Sequence, residues 1–444
     1  MLKSKILWLG WFGLLLGMIQ IALAQQPDSE QLQREGKQFV QLLQAGQFDS
    51  AEVRMTAVMK TAMPVKNLQQ AWSDLNQRVG KFQEIESVTV DKLDSLFQVN
   101  VNCRFEGMPL NIQVIFNQQL QVAGMWFRPV SAPEYEMPDY VKKDSFHEEE
   151  IKFGLPDWQL PGILSIPNGD GPFAAVVLVH GSGPNDRDET IGPNRPFRDL
   201  AWGLASQGIL VLRYDKRTKV YATKIKPQQV TVEDEVIVDA LAAIQFLQGR
   251  AEVNHGKIFL LGHSLGAMLA PEIGTRAPGL AGLIMLAAPT RCLEDVMYSQ
   301  ISYLKSLDTT GSKESAAQMD SLLSKIRQLQ AGKLPPTTML LSGPASYFYD
   351  LRQRNQLNFI RQLTLPILIL QGERDYQVTM EDFTVWQKLA AEQKTIQTIL
   401  YPDLNHLFIA GQGKSTPQEY MGKQGHVAGE VIRDIHTWIA DPSR

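Results

Sequence analysis

Apolar positions change their period partway through the early part of the chain. Leu32, Phe39 and Leu43 recur at near-helical spacing, as do Leu68, Trp72, Leu75 and Val79, which predicts amphipathic helices. From Phe97 onward the period becomes two. Phe97-Gln98-Val99-Asn100-Val101, Leu110-Asn111-Ile112-Gln113-Val114 and the stretch from Val122 to Phe127 alternate apolar and polar residues. That alternation predicts strands of an antiparallel sheet with one wet face. Helices followed by a meander give a small α+β domain over residues 28–130. Pro129, Pro133 and Pro138 then mark a linker at residues 131–144.

Beyond the linker the pattern changes again. Ala174 to Val179 is a continuous apolar run, as a strand buried on both faces should be. Ile209 to Arg213, Lys257 to Leu261, Leu280 to Leu286, Pro366 to Leu370 and Ile396 to Leu400 repeat it, with helical stretches at 197–207, 232–248, 265–276 and 381–392. Such alternation predicts an α/β domain over residues 145–444, a doubly wound and mostly parallel sheet with helices on both faces. Residues 291–362 interrupt it. They are rich in helix formers and contain Gly343-Pro344-Ala345-Ser346-Tyr347-Phe348-Tyr349. An insertion there is expected to form a helical cap over the strands' C-terminal ends, where ligands bind in open α/β sheets. Tyr347 and Tyr349 are expected near the pocket.

Composition adds little to this picture. With 444 residues, 44% of them hydrophobic and 20% charged, the chain suits two globular domains. A net charge of −4 without a clustered basic face gives no nucleic-acid footprint. The seven histidines are scattered, and none sits with Cys or carboxylates at ligand spacing, so no metal or cofactor is implied. Cys103 and Cys292 fall in different expected domains, and a core of this size does not need a disulfide.

The N-terminus changes the picture more. Lys3 and Lys5 precede an apolar run from Ile6 to Ile21, followed by Ala22-Leu23-Ala24. This predicts a secretory signal peptide over residues 1–24 and an exported product, periplasmic or secreted, with no stable membrane insertion after cleavage. An uncleaved anchor is the alternative. Oligomeric state is not legible.

The chemistry is carried by Gly262-His263-Ser264-Leu265-Gly266. The G-x-S-x-G pattern is common, but here a predicted strand runs into it and a predicted helix leaves it, as in a nucleophile elbow. The turn lifts the serine hydroxyl out of the sheet and aims the first helical N–H groups at a developing oxyanion. A hydroxyl needs a base, and the base needs an orienting carboxylate. On this turn the acid and then the histidine follow the serine in chain order. His406, on the loop after the strand ending at Leu400, is the expected base; His426 is the weaker candidate, and His436 sits within an amphipathic helix. Asp375, on the loop after the strand ending at Leu370, is the expected acid, with Glu373 and Asp403 as competitors. The turn at His180-Gly181-Ser182-Gly183-Pro184 is expected to supply the Ser182 N–H to an oxyanion hole, together with the N–H of Leu265. His180 is expected to be structural, and His263 to border the substrate pocket.

The run from His180 through Pro184 to Asn185-Asp186-Arg187-Asp188-Glu189, then Arg213-Tyr214-Asp215-Lys216-Arg217, then Gly262 to Gly266 resembles exported α/β-hydrolase-fold esterases related to the serine aminopeptidases. The likeness covers residues 145–444 by motif. Residues 28–130 resemble only in outline the cystatin-like domain that often precedes such hydrolases. The resemblance implies a serine hydrolase acting on small acyl esters. A peptidase or acyltransferase would use the same triad, and a binding protein with a degenerate hydrolase domain is the non-enzymatic alternative. An aminopeptidase would want cap carboxylates to anchor an ammonium group, for which Glu294, Asp295, Asp320 and Asp350 are candidates. The charges at 186–189 and 215–217 read either as a brace for the oxyanion loop or, through Arg187 or Arg217, as a contact to an acidic substrate group.

Overall fold

The computed structural model describes residues 27–441, except 94, 107, 130–134, 308–312 and 342. The expected signal peptide lies outside the described residues. Among the described residues no helix is long and apolar enough to cross a membrane. The chain divides into two compact units, one ending at Ser131 and the other beginning at Ala132.

In the first unit, helices Ser29–Gln44, Phe48–Val53, Ala57–Ala62 and Val65–Val79 precede an antiparallel meander of β1 (Phe82–Leu93), β2 (Leu96–Phe105), β3 (Leu110–Phe116) and β4 (Val122–Pro129). Asp28 caps the first helix by accepting from the Gln31 N–H at 2.7 Å, which satisfies one of its orphan donors. Leu32, Phe39 and Leu43 point inward with Leu68 and Trp72 to meet Val99, Val101, Ile112 and Val114 from the sheet. Gly36 lets this helix lie close, since a Cβ there would stand 2.5 Å from Val99 Cγ1.

Strand β1 was not legible as a strand. Its half-buried residues Phe82, Ile85, Val88 and Val90 are unevenly spaced, because two irregularities break the register against β2. Each bulge inserts a residue and shifts the alternation.

The second unit is built on an eight-stranded sheet: β5 (Phe146–Leu155), β6 (Trp158–Pro167), β7 (Phe173–Val179), β8 (Leu210–Tyr214), β9 (Val253–His263), β10 (Leu280–Leu286), then β13 (Ile367–Gly372) and β14 (Ile396–Tyr401). The short β11 (Met339–Leu340) and β12 (Gly343–Pro344) pair with each other inside the insertion. The sheet order is β14-β13-β10-β9-β7-β8-β6-β5. Strands from β14 to β8 run parallel, and the hairpin β5–β6 joins antiparallel at one edge. Apolar clusters cover both faces, one with Ile237, Ile244, Leu269 and Ile273, the other with Phe197, Leu200, Val431 and Ile435. This is the expected α/β-hydrolase architecture, and the predicted strands and helices fall within a few residues of the observed ones.

The linker expectation needs correction at its C-terminal side. Residues 135–144 are tied to the second unit: the Glu136 N–H donates to Gln424 Oε1 at 3.3 Å and the Lys142 N–H to Ser206 Oγ at 2.8 Å. Tyr140 packs so closely that a Cβ on Gly203 would come within 3.0 Å of its ring.

The insertion carries helices Leu293–Leu307, Lys313–Gln330, Ala345–Gln353 and Gln356–Ile360. Its stem is closed by side chains. Arg291 holds Asp382 at 2.7 Å, and Gln356 Nε2 donates back to the Thr290 carbonyl at 2.7 Å.

Candidate active site

Ser264 follows the last residue of β9 and precedes the helix Leu265–Arg276. Its backbone is left-handed, φ 53° and ψ −113°, a costly conformation for a residue with a side chain. The flanking glycines explain how the turn closes. A Cβ on Gly262 would lie 2.4 Å from the Gly266 carbonyl oxygen, and one on Gly266 would lie 2.2 Å from that of Val179. Both contacts are with backbone, so neither can yield. The Ser264 N–H donates to the Leu286 carbonyl at 2.9 Å, which ties the elbow to β10.

Asp375 and His406 are brought together. His406 Nδ1 meets Asp375 Oδ2 at 2.6 Å, and both side chains are buried. Asp375 also accepts from the N–H groups of Gln377 (2.7 Å) and Val378 (3.0 Å) and from Gln371 Nε2 (3.4 Å). A buried carboxylate with its lone pairs so engaged has a fixed orientation. Gly372 admits the histidine loop, since a Cβ there would meet the Leu404 carbonyl oxygen at 2.4 Å. The competing Glu373 is exposed. His426 faces Asp199 at 3.3 Å instead.

His263, expected at the pocket, is turned inward. Its Nδ1 meets Glu189 Oε2 at 2.9 Å, its Nε2 meets the His406 carbonyl at 3.0 Å, and its ring centroid lies 4.7 Å from that of His406. Burial opposes charge on this ring, but the Glu189 carboxylate outweighs it and raises His263 above its ordinary value. Glu189 in turn, despite burial, is held below the usual carboxylate range by His263. The other oxygen of Glu189 accepts the Gly181 N–H at 2.6 Å.

Around the loop after β7 the charged residues pair with one another. Arg187 grips Asp215 through two nitrogens, at 3.1 and 2.9 Å. Arg213, fully buried, reaches Asp188 at 2.9 Å and Glu148 at 2.8 Å. Arg217 meets Asp239 at 2.5 Å and lies over the Trp158 ring. Lys216 Nζ donates to the Gly181 carbonyl at 3.0 Å and to Glu235 at 2.7 Å. His180 packs between Phe197 and Tyr214, and burial pushes it down to about 4, so the ring is neutral.

A cleft of about 370 Å³ opens beside Ser182 and Gly183, walled by Ile225 and Val230 on one side and by Met339 and Leu341 of the insertion on the other. Tyr347 is buried behind Gly343, and Tyr349 donates its hydroxyl to the Leu334 carbonyl at 2.9 Å. The wall from residues 218–235 and the part played by Glu189 were missed in the sequence. The first carries no motif, and the second was visible only as one charge within a charged run. Both cysteines are free. Among the described residues no cluster of His, Cys, Asp and Glu could hold a metal ion.

A parallel sheet with a strained serine turn at its C-terminal edge defines an α/β-hydrolase. The family model agrees. The model of the serine aminopeptidase S33 family matches residues 170–413, and that of a family described as a protein of unknown function, DUF3887, matches residues 36–125. The esterase EstD of Thermotoga maritima is 42% identical over 402 residues, 90% of this chain and 93% of its own. The uncharacterized protein YfhR of Salmonella typhi is 24% identical over 274 residues, 62% of this chain and 75% of its own. Among solved structures, Est1E from Butyrivibrio proteoclasticus aligns over 65% of this chain and 97% of its own, with 14% identity and a TM-score of 0.43. The chain belongs to the S33 serine aminopeptidase family and is an esterase-like hydrolase.

Proposed function

We propose that the chain hydrolyses small carboxylic esters through an acyl-enzyme on Ser264. The observation that carries this reading is the strained, glycine-flanked serine turn in the same unit as the buried His406–Asp375 pair. Ser264 Oγ attacks the ester carbonyl while His406 Nε2 takes its proton. Asp375 holds the Nδ1–H tautomer and stabilises the imidazolium. The oxyanion is received by the N–H groups of Leu265 and Ser182. Gly181 is unavailable for that task because its N–H is given to Glu189. His406 then protonates the departing alcohol. Water, activated by the same histidine, releases the acid and restores Ser264. The apolar cleft between residues 225–230 and the insertion suits the acyl chain.

The ester reading is favoured over an aminopeptidase because the cap carboxylates are already engaged. Glu294 is held by Arg352 at 2.6 Å, Asp295 by Gln330 at 2.7 Å, Asp320 by Lys305, and Asp350 by Arg354 at 2.9 Å. Assaying the chain from Gln25, after the proposed signal peptide of an exported protein, with p-nitrophenyl esters and aminoacyl-p-nitroanilides tests this. Ester turnover that vanishes in Ser264→Ala is expected. Faster anilide than ester turnover would transfer the assignment to a peptidase.

A further inference from the structure

We propose that Glu189 is a positioning residue of this active site, one that fixes the oxyanion strand end and the His406 loop to each other through His263. The proposal rests on the reading of Ser264, His406 and Asp375 given above. Glu189 is buried, and although it is not glycine its backbone stands at φ 51°. Strain of this kind persists only where the surroundings impose it. One carboxylate oxygen takes the Gly181 N–H at 2.6 Å and the other meets His263 Nδ1 at 2.9 Å, while His263 Nε2 meets the His406 carbonyl at 3.0 Å. A carbonyl only accepts, so Nε2 carries a proton. A carboxylate facing Nδ1 wants a proton there as well. With Glu189 ionised, as its acceptance of the Gly181 N–H favours, the imidazolium satisfies both contacts.

The result is an unbroken chain, Gly181–Glu189–His263–His406, linking the loop after β7, the last residue of β9 and the loop after β14. Its links are buried and charge-assisted, the short and directional kind. A buried ion pair is by itself a poor source of stability, because desolvation offsets the attraction; positional specificity is what this one supplies. The chain also accounts for charge. The His263 ring lies 4.7 Å from the ring of His406, which must itself become positive during catalysis. Glu189 neutralises the first cation from one side while Asp375 serves the second. His180 also acts on Glu189, and Lys216 and Asp186 act on His180.

The test uses the full chain with Glu189→Gln and Glu189→Asp. Glutamine retains the volume; its oxygen still accepts from Gly181 and its amide donates to a neutral His263. Every hydrogen bond persists while the ion pair disappears. Expected is a fall in kcat of about 10- to 100-fold, the scale of a small misplacement of catalytic groups, with KM little changed and part of the loss recovered in Glu189→Asp. Rates are counted per site titrated with a fluorophosphonate. Low-field proton NMR of the wild type should show two nitrogen-bound ring protons from His263, assigned by their loss in His263→Asn, with one remaining in Glu189→Gln. Wild-type kcat per labelled site in Glu189→Gln, or a single His263 ring proton in the wild type, overturns the proposal. If Glu189→Gln does not fold, Glu189→Asp at wild-type kcat and the wild-type spectrum decide it. A wild type that neither labels nor hydrolyses esters overturns the site reading itself, which the labelling reports separately.

Discussion

The two sheets of this molecule place their strain and their charge differently. In the antiparallel sheet of the first unit, left-handed non-glycine backbone occurs among the described residues only at Leu120, in the hairpin between β3 and β4. Among the described residues of that unit the buried polar ones are the neutral Asn100 and Asn111. In the second unit Glu189, Ser264, Ala287 and Phe408 are all left-handed. Buried ionisable groups are concentrated there too, among them Asp188, Glu189, Arg213, Lys216, His263, Asp375 and His406. The first unit is organised around apolar packing that its sequence pattern demands. The second accepts unfavourable backbone and desolvated charge at one sheet edge, which is where chemistry is expected.

Breaking that edge should have the largest effects. Ser264→Ala is expected to remove ester turnover, and Asp375→Asn to lower kcat about 10⁴-fold by releasing the base into the wrong tautomer. Steady-state kinetics beside circular dichroism would check that the fold survives; appreciable turnover in Ser264→Ala would contradict the mechanism.

A pair of glycine substitutions compares the two units directly. In Gly266→Ala the new Cβ meets a backbone carbonyl at 2.2 Å, whereas in Gly36→Ala it meets a valine methyl at 2.5 Å. Gly266→Ala should therefore abolish activity and unfold or rearrange the elbow. Gly36→Ala should cost only about 1–3 kcal/mol, the range of ordinary overpacking, read from urea denaturation, with kcat intact.

Phe39→Ala, at the centre of the first unit's core, is expected to cost about 3–5 kcal/mol in that unit. Ester turnover by the folded protein should be unchanged, because the two units have separate cores. A matching loss of kcat would show that the comparison is too sharp.

The last effect is pH-dependent. His180 is buried neutral, its value lowered by burial from 6.5 to about 4. The folded state therefore binds fewer protons than the unfolded chain. The stability this group contributes is present above pH 6.5 and is lost as pH falls from about 6.5 toward 4, on the order of 3 kcal/mol in full. His263, raised, acts in the opposite sense: its contribution is present below its ordinary value and is lost as pH rises through the folded one. His180→Phe should flatten the acid-side loss measured by denaturation at successive pH values. The first unit has no histidine and should show no histidine-linked change in that window.

Much of this molecule follows from the sequence alone. Period-two runs placed β2 to β4 and continuous apolar runs placed the parallel strands of the second sheet, because burial on one face or on two leaves different patterns. Ser264 was legible because the elbow is local: strand, glycine, serine, glycine and helix are contiguous in the chain. His406 and Asp375 could be reached only through chain order and loop position, with Glu373, Asp403 and His426 left open. In the structure Asp375 meets His406 at 2.6 Å, while Glu373 is exposed and His426 faces Asp199. The same limit hid β1, whose bulges scramble its alternation, and the hairpin β5–β6, whose edge strand carries Glu148-Glu149-Glu150. It also concealed the inward turn of His263. Nothing local distinguishes a histidine beside the nucleophile that faces substrate from one that faces Glu189, because the residue that decides it is 74 positions away. Local geometry is written in adjacent residues, whereas a buried charge has meaning only through the partner that folding brings to it.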